Sequence, residues 1–528
     1  MNKPGKADRM GVASGQCKKD GMLSILLNMK LKNVLLIVIL PVFVLCFVFS
    51  YTPGLPFPTV QKQTAAEKME SVEIKWLLPC ETEPADSKQV LAEANKMLED
   101  IRVMLNITWV DWDSYEDKLG VLSASNDSFD LCLEAGWLGL NEMVSRNAFY
   151  NIDELLPQYA PDVQAQVPSY VWDTLTMGGK LVGMPNLQVL SRKDGVYIRK
   201  DLADKYHYND GMIKNLDDIT RFLKVIKAGE KDIYGTLQPQ ELINYYSTIA
   251  GFFDVGDFNL PGTAVLEDGK LKIINQYESD AYKTLYNYVR DWYRKGYSNK
   301  DAAILRDTDR LRRSGKEALM FSQLGPWTER DMRNMFAGTG YEWIPCDLGA
   351  KKYITAGTCL ATLTCVGANS KNPEKAVMLF NKVNTDARLY NTLVNGIEGR
   401  HYILKDGFLE YPKGMTAENS GYYTDLAWGL GSIFNLYPTR EDGADFTQRL
   451  YDWEKDAIIS PTIGFSFDPA LVSDELSQCR AVITEYFPFL ANGAGDPDKL
   501  LPDFLARLRE AGSDRIIAEK QRQIDAWK

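Results

Sequence analysis

Chemistry has few places to reside in this 528-residue chain. Histidine occurs only as His207 and His401, too sparsely for a histidine metal cluster or most histidine-based triads. No GxxxxGK(S/T), GxSxG, HExxH or EF-hand spacing is present, which weighs against NTPase, hydrolase and metalloprotease chemistry. Gly251, Gly429 and Gly431 belong to no dinucleotide fingerprint with its strand and distant acid, so no cofactor is expected. What remains are carboxylates and flat aromatic faces. Two carboxylates on opposite sides of a sugar suffice for a glycosidase, and this chain has carboxylates in plenty. An indole held at the rim of a cleft suits instead the apolar face of a sugar ring.

One indole is placed where such a face is needed. Residues 314–316 read as a turn, and Ala318, Leu319, Met320 and Phe321 form a short apolar run of the length of a buried strand. Gly325-Pro326 stops it. Pro326 has a fixed φ and no N–H for a ladder, so Trp327 is delivered just past the strand's end, where open α/β sheets hold ligands. A core or lobe-interface role for Trp327 fits the same local sequence. The same rule, applied to the apolar strand at 129–134, points at Glu134 and Trp137, with a solvated loop carboxylate as the alternative for Glu134.

The elements that position these residues follow from periodicity. Residues 72–78 alternate and end at Pro79-Cys80, a strand followed by a loop. Val90, Leu91, Ala94, Met97, Leu98, Ile101 and Met104 recur at helical spacing and predict a helix over 85–105; strand 107–110 and a short helix over 114–123 come next. Strands alternating with helices predict a parallel α/β sheet. From Val196 to Met320 one strand is followed by helices over 216–227, 241–253 and 282–295, the last capped by Gly296, which marks a second lobe. Residues 360–366 return to β character. Two amphipathic helices close the chain, over 501–511 and 516–527, separated by Gly512-Ser513.

Before all this lies an uncharged apolar run over 34–49, preceded by Lys30 and Lys32. It reads as an export signal or membrane anchor, at the short edge of bilayer-spanning length. Residues 1–28 are then a cytoplasmic stub or an upstream start, 29–51 the signal or anchor, and 52–69 a Pro-rich linker. Composition is ordinary for globular domains, 45% hydrophobic and 25% charged. The net charge of -11 argues against nucleic acid as a partner. None of the 8 cysteines shows paired CxxC spacing; Cys80 and Cys132 could meet only if their strands are neighbours.

The turn, apolar strand and Gly325-Pro326-Trp327 resemble the segment by which the maltose-binding-protein group presents a stacking tryptophan. That group comprises the family 1 extracellular solute-binding proteins of carbohydrate ABC importers. Gly179-Lys180-Leu181-Val182-Gly183-Met184-Pro185-Asn186 is similar to the family's hairpin ending in a Pro at the cleft, Tyr197 to Leu202 to the strand and helix start after it, and Asn215-Leu216-Asp217-Asp218 to the next helix entry. Ser370 to Ala376, Asn395 to Tyr402, Gly464 to Asp468, Ala518 to Gln521 and Trp527 resemble the large lipoprotein-type branch. The family's lipid-attachment box has small residues before a Cys, whereas Cys46 follows Phe43-Val44-Leu45.

The resemblance implies a two-lobed α/β fold of the periplasmic-binding-protein type II, its discontinuous lobes joined by a hinge and preceded by the signal or anchor helix. Lobe 1 is expected over 70–190 plus 353–435, and lobe 2 over 191–352 plus 436–528 with the C-terminal helices. It implies capture of an oligosaccharide for the permease subunits of an ABC importer, at the outer face of the cytoplasmic membrane or after secretion, without catalysis. Trp137, Trp327 and Trp428 are the expected stacking residues, and Asn186, Glu134, Glu398 and Arg400 the expected hydroxyl partners. Glu398 and Arg400 fit a lobe turn as well, and Trp428 a core. A surface glycosidase, or a sugar sensor signalling to a membrane partner, are the rival functions.

Overall fold

The computed structural model describes residues 71–125, 129–246, 249–305, 308–417 and 419–527. The stub, the signal or anchor run with Cys46, and the linker expected over 52–69 lie outside the described residues. Among the described residues no helix is long and apolar enough to cross a membrane.

Eight strands build the two main sheets: β1 (Val72–Cys80), β2 (Val103–Asp111), β3 (Leu131–Glu134), β4 (Met184–Pro185), β5 (Asp194–Arg199), β6 (Leu319–Gln323), β7 (Trp343–Cys346) and β8 (Leu363–Val366). The first sheet has the order β2-β1-β3-β8-β4. Strands β1, β2 and β3 are parallel, with Val72 opposite Val103 and Leu77 opposite Cys132. The expectation of a parallel sheet fails at β8, which runs antiparallel to β3 with Leu363 opposite Glu134. The βαβ connection that dictates parallel pairing does not join β3 to β8, because β8 arrives from the other side of the molecule more than two hundred residues later.

The expected helix over 85–105 ends early, at Ser87–Met97, and is followed by a short 3-10 turn and Arg102 at φ 55. Asn95 explains the stop. Its side-chain amide donates to the Leu105 carbonyl at 3.0 Å and its oxygen accepts from the Leu105 N–H at 2.7 Å, pinning the chain as it turns back into β2. Met104, counted above on a helical face, is therefore a β2 residue and 45% exposed. The hairpin at 176–181 turns on Gly178 and Gly179, both at positive φ, the backbone that a two-residue hairpin turn requires.

The second sheet is antiparallel, β6-β5-β7, with Leu319 opposite Ile198 and Ile344 opposite Ile198 on the other edge. Helices Leu216–Gly229 and Asp280–Lys295 pack on it, the first capped by the Asn215 side chain and the second by Ser279 and Gly296. The helix expected over 241–253 is shorter, Gln240–Tyr246, and Phe253 instead forms a β-bridge with Ala264. The C-terminal helices Pro497–Glu510 and Ser513–Trp527 add Leu501, Phe504, Leu508 and Ile516 to the same core.

Burial divides accordingly. One large apolar cluster draws on residues between Ile74 and Leu187 and again between Ile354 and Leu436; a second draws on Val196 to Cys346 and Val472 to Ile516. The chain passes between them at three places that run side by side. Arg192 pairs with Tyr353 through N–H···O bonds of 2.7 and 2.9 Å, and Tyr353–Ile354 pairs in parallel with Ile458–Ile459. Glu454 braces the first crossing, its carboxylate accepting from the Ser191 N–H at 2.9 Å and hydroxyl at 3.0 Å.

The six described cysteines are free and buried. Although β1 and β3 are neighbours, their register sets Cys132 against Leu77 and leaves Cys80 three residues further on. Three residues span about 10 Å and reverse the face of the strand, so Cys80 and Cys132 do not meet.

Candidate ligand cleft

Gly325 ends β6 at φ 140, and a Cβ there would lie 3.0 Å from the Trp453 ring. Only glycine accepts both conditions. Pro326 then opens the helix Pro326–Met335 at the position where a missing N–H costs nothing. Trp327 is thus held by the first turn of a helix rather than by a loop. Its half-buried ring packs against the first core and against a small cluster of Ile433, Phe446 and Leu450.

The free side of Trp327 faces a cavity of about 280 Å³. Trp327, Asp331 and Asn334 come from that helix; Tyr411, Tyr423, Asp425 and Trp428 come from the segment that returns to the first core. Asp331 follows Trp327 by four residues, so both lie on one helical face. Burial, then the charge of Asp425, pushes the Asp331 carboxyl up to about 7, against the opposing pull of Arg330. Asp425, at φ 48, accepts a 2.9 Å hydrogen bond from the Tyr423 hydroxyl; its carboxyl is raised by the protein packed around it although its outer side reaches solvent. Arg330 also lines the cavity, but its guanidinium is engaged by the buried Asp442, which Arg333 holds from the other side at 2.6 Å.

Trp428 connects this cavity to a second aromatic surface. It stacks on Trp112 with centroids 6.1 Å apart and planes 17° from parallel, and Trp137 leans on both at 6.2 and 6.1 Å. Trp137 is 57% exposed and is oriented by a 2.7 Å hydrogen bond from its indole N–H to the Ala361 carbonyl. Trp428 thus touches both the cavity shared with Trp327 and the cluster of Trp112 and Trp137, and Trp137 itself does not line that cavity.

The expected hydroxyl partners fare differently. Asn186 is 1% exposed, and its hydrogen bonds are all internal: it donates to the Thr362 hydroxyl and the Gly429 carbonyl at 2.9 Å and accepts from Thr364 at 3.0 Å. It holds the backbone behind Trp428 and offers no free amide. Glu134 is likewise 1% exposed, takes the Ala135 N–H at 3.0 Å, and is pushed by burial up to about 8, so it is a neutral acid at pH 7 rather than the solvated carboxylate of the alternative. Arg400 grips Asp86 at 2.7 Å, and His401, whose Nδ1 accepts from the Ile397 N–H, directs Nε2 at the same carboxylate. Glu398 is an exposed member of that turn, bridged to Tyr402. This turn fastens residues 397–402 to the start of the helix Ser87–Met97 and contributes no lining residue to the cavity.

Asp331, Tyr411, Tyr423, Asp425 and Trp112 had not been singled out from the sequence. Two carried a signal. Asp331 is one turn beyond Trp327, and Trp112 directly follows β2 as Glu134 closes β3. Asp425 and the two tyrosines lie in an aperiodic stretch whose position is set only by the return of the chain. Among the described residues no group of three or more His, Cys, Asp or Glu side chains is arranged to hold a metal ion.

Comparison with known proteins gives this geometry a context. Residues 461–528 match a family profile described as a domain of unknown function, DUF3502. The chain is similar to a carbohydrate ABC transporter substrate-binding protein of Streptococcus pneumoniae serotype 4 (strain ATCC BAA-334 / TIGR4), 25% identical over 460 residues, 84% of this chain and 89% of that protein. It is also similar to the lipoprotein LipO of Bacillus subtilis (strain 168), 24% identical over 395 residues, 71% of this chain and 76% of LipO. Among solved structures, the N-glycan transport solute binding protein NgtS from Streptococcus pneumoniae superposes with a TM-score of 0.74 at 22% identity, over 86% of this chain and 99% of that one. The fold is that of the two-lobed solute-binding proteins, as the sequence resemblance implied.

Proposed function

We propose that this chain is an extracytoplasmic solute-binding protein that captures an oligosaccharide between its lobes and delivers it to an ABC importer. The observation that carries this is the cavity at Trp327. Four aromatic side chains and two carboxylates converge there from two distant segments of the chain, 327–338 and 394–439, the mix of flat apolar faces and few polar groups by which a cleft orients a sugar. We place the lobes at 70–190 with 353–435 and 191–352 with 436–528, and the hinge where the segments at Arg192, Tyr353 and Ile458 run side by side, the last of them within 436–528. Closure is favoured by whatever contacts the ligand makes only in the closed form. Names of similar proteins, an ABC transporter substrate-binding protein, a lipoprotein and an N-glycan transport protein, support the sugar, the importer and a location at the outer membrane face or beyond it.

The cleft that fits this reading also favours one rival. Two carboxylates share the cavity, and Asp331 titrates near neutrality, the property of a general acid. A thermal-shift screen of oligosaccharides, followed by mass analysis of each hit after prolonged incubation, separates the two. Binding predicts a stabilising sugar recovered intact, worth about 2.7 kcal/mol at ligand a hundred times its dissociation constant. Steady hydrolysis abolished by Asp331→Asn identifies a glycosidase, and the absence of any stabilising sugar removes both.

A further inference from the structure

The lining of the cleft is unequal in charge. Asp331 and Asp425 face the cavity, while the two arginines of the same helix, Arg330 and Arg333, are committed to Asp442. Around Asp425 the charges of Glu81 and Asp309 add to its own and Arg313 opposes them; around Asp331 the charge of Arg330 opposes that of Asp425. Trp327, Trp428, Tyr411 and Tyr423 supply ring faces to the same space. Aromatic faces attract cations, and attraction strengthens where water is excluded.

We infer that Asp331 and Asp425 make charge the property on which this cleft selects: of sugars alike in shape, one bearing a protonated amine binds best, the neutral one less well and the uronic acid least. The inference rests on the cleft being the ligand site. A carboxylate brought there is repelled by Asp425 and by the ionised fraction of Asp331, with no free cation on that helix to offset them. A protonated amine relieves the existing repulsion, pairs with both oxygens and lies against the rings. A neutral hydroxyl can donate only one hydrogen bond to them and brings no charge. An amine also favours the ionised form of both acids, so its binding near pH 7 expels protons that Asp331 holds in the empty cleft. Uptake from outside the cell would then favour glycans with free amines over pectin-like or alginate-like polyuronates.

The test is calorimetry of the full chain at pH 7 with glucosamine, glucose and glucuronic acid, each as the free sugar and as a β-1,4-linked trimer. Two buffers of different protonation enthalpy report proton release. The expected result is an amine affinity at least about tenfold above the neutral one, protons released only with the amine, and glucuronate weakest. In an Asp331→Asn/Asp425→Asn variant the ratio of amine to neutral affinity falls to within about twofold. Amine sugars that bind no tighter than neutral ones, a uronate that matches them, or a preference that survives in the double variant overturns the inference. Should that variant not fold, the ranking and the proton release of the unaltered protein decide. A neutral oligosaccharide found in the screen, with no advantage for amines, removes this inference and leaves the binding function standing; no sugar of any charge removes both.

Discussion

Trp327 and Asp331 stand one turn apart on the helix Pro326–Met335, and both line the cavity. A spacing of four residues puts ring and acid on one helical face, so a ligand in the cavity meets both together. Stacking surface and polar partner are one unit, set by a four-residue spacing.

This coupling predicts different outcomes for two substitutions at one position. Trp327→Ala removes the ring and should weaken sugar binding roughly thirtyfold or more, the loss of about 2 kcal/mol typical of a central aromatic contact. Since the ring also packs on both neighbouring clusters, the unliganded protein should unfold at lower temperature as well. Trp327→Phe keeps a ring and most of the packing, so affinity should fall less than in Trp327→Ala while the unfolding midpoint barely moves. Calorimetry and thermal unfolding read both. Unaltered binding by Trp327→Ala would make the residue purely structural.

Glu134 gives a pH dependence with a definite sign. Its folded value is about 8 against 4.5 for the free side chain, so the native state holds a proton that the unfolded chain releases between those two values. Stability from this group is complete below about pH 4.5, declines as pH rises through 8 and is constant above. Glu134→Gln keeps the shape without the titration. Denaturant unfolding should find the variant more stable than the parent at pH 9 by a few kcal/mol at most and little different at pH 4. Parallel curves for the two proteins across that range would show that the carboxyl is not buried.

The first three strands and the position of Trp327 just past β6 were legible because they rest on local facts, a short apolar run and a Gly-Pro stop, whereas the antiparallel entry of β8 was not. Asn186 shows where such reasoning stops. A hairpin that leads to the cleft placed the residue correctly in space, but only the return of 424–431 decides that its amide points into protein. Arg400 fails for a similar reason, since its partner Asp86 lies 314 positions away. Asp425 and Tyr423 sit in no periodic segment and enter the cavity through tertiary structure alone.

Asn186 and Arg400 should therefore separate support from binding. Asn186→Ala leaves the Gly429 carbonyl and two buried threonine hydroxyls short of a partner, which should cost on the order of 1–3 kcal/mol of stability. Its effect on affinity should come only through displacement of Trp428. Arg400→Ala breaks an exposed pair with Asp86, a change of little consequence for stability, and should leave sugar affinity unchanged. A large affinity loss in Arg400→Ala with normal folding would place that turn in the ligand site.

Lys520 provides the last test, in the C-terminal segment. Its ammonium is buried and donates to the Pro261 and Gly262 carbonyls at 3.0 and 2.9 Å, and burial lowers it to about 8 despite the nearby Asp257 and Asp254. A base lowered on folding carries the opposite sign to Glu134. The unfolded chain binds the extra proton between pH 8 and 10.5, so the cost of burying the charge is full below about pH 8 and is relieved as pH rises through 10.5. Lys520→Met retains the volume and discards the charge, although two carbonyls then lose their donor. The expected signature is a loss of the rise in stability between pH 8 and 10.5 that the parent shows, whichever protein is more stable at pH 7. The helix Ser513–Trp527 should be the first to report it, through hydrogen exchange at Ile516 and Ile524, whose side chains join the second core and the cluster around Phe253. Identical pH profiles for parent and variant, with exchange unchanged along that helix, would mean that Lys520 is solvated and that the C-terminal segment is held by its apolar contacts alone.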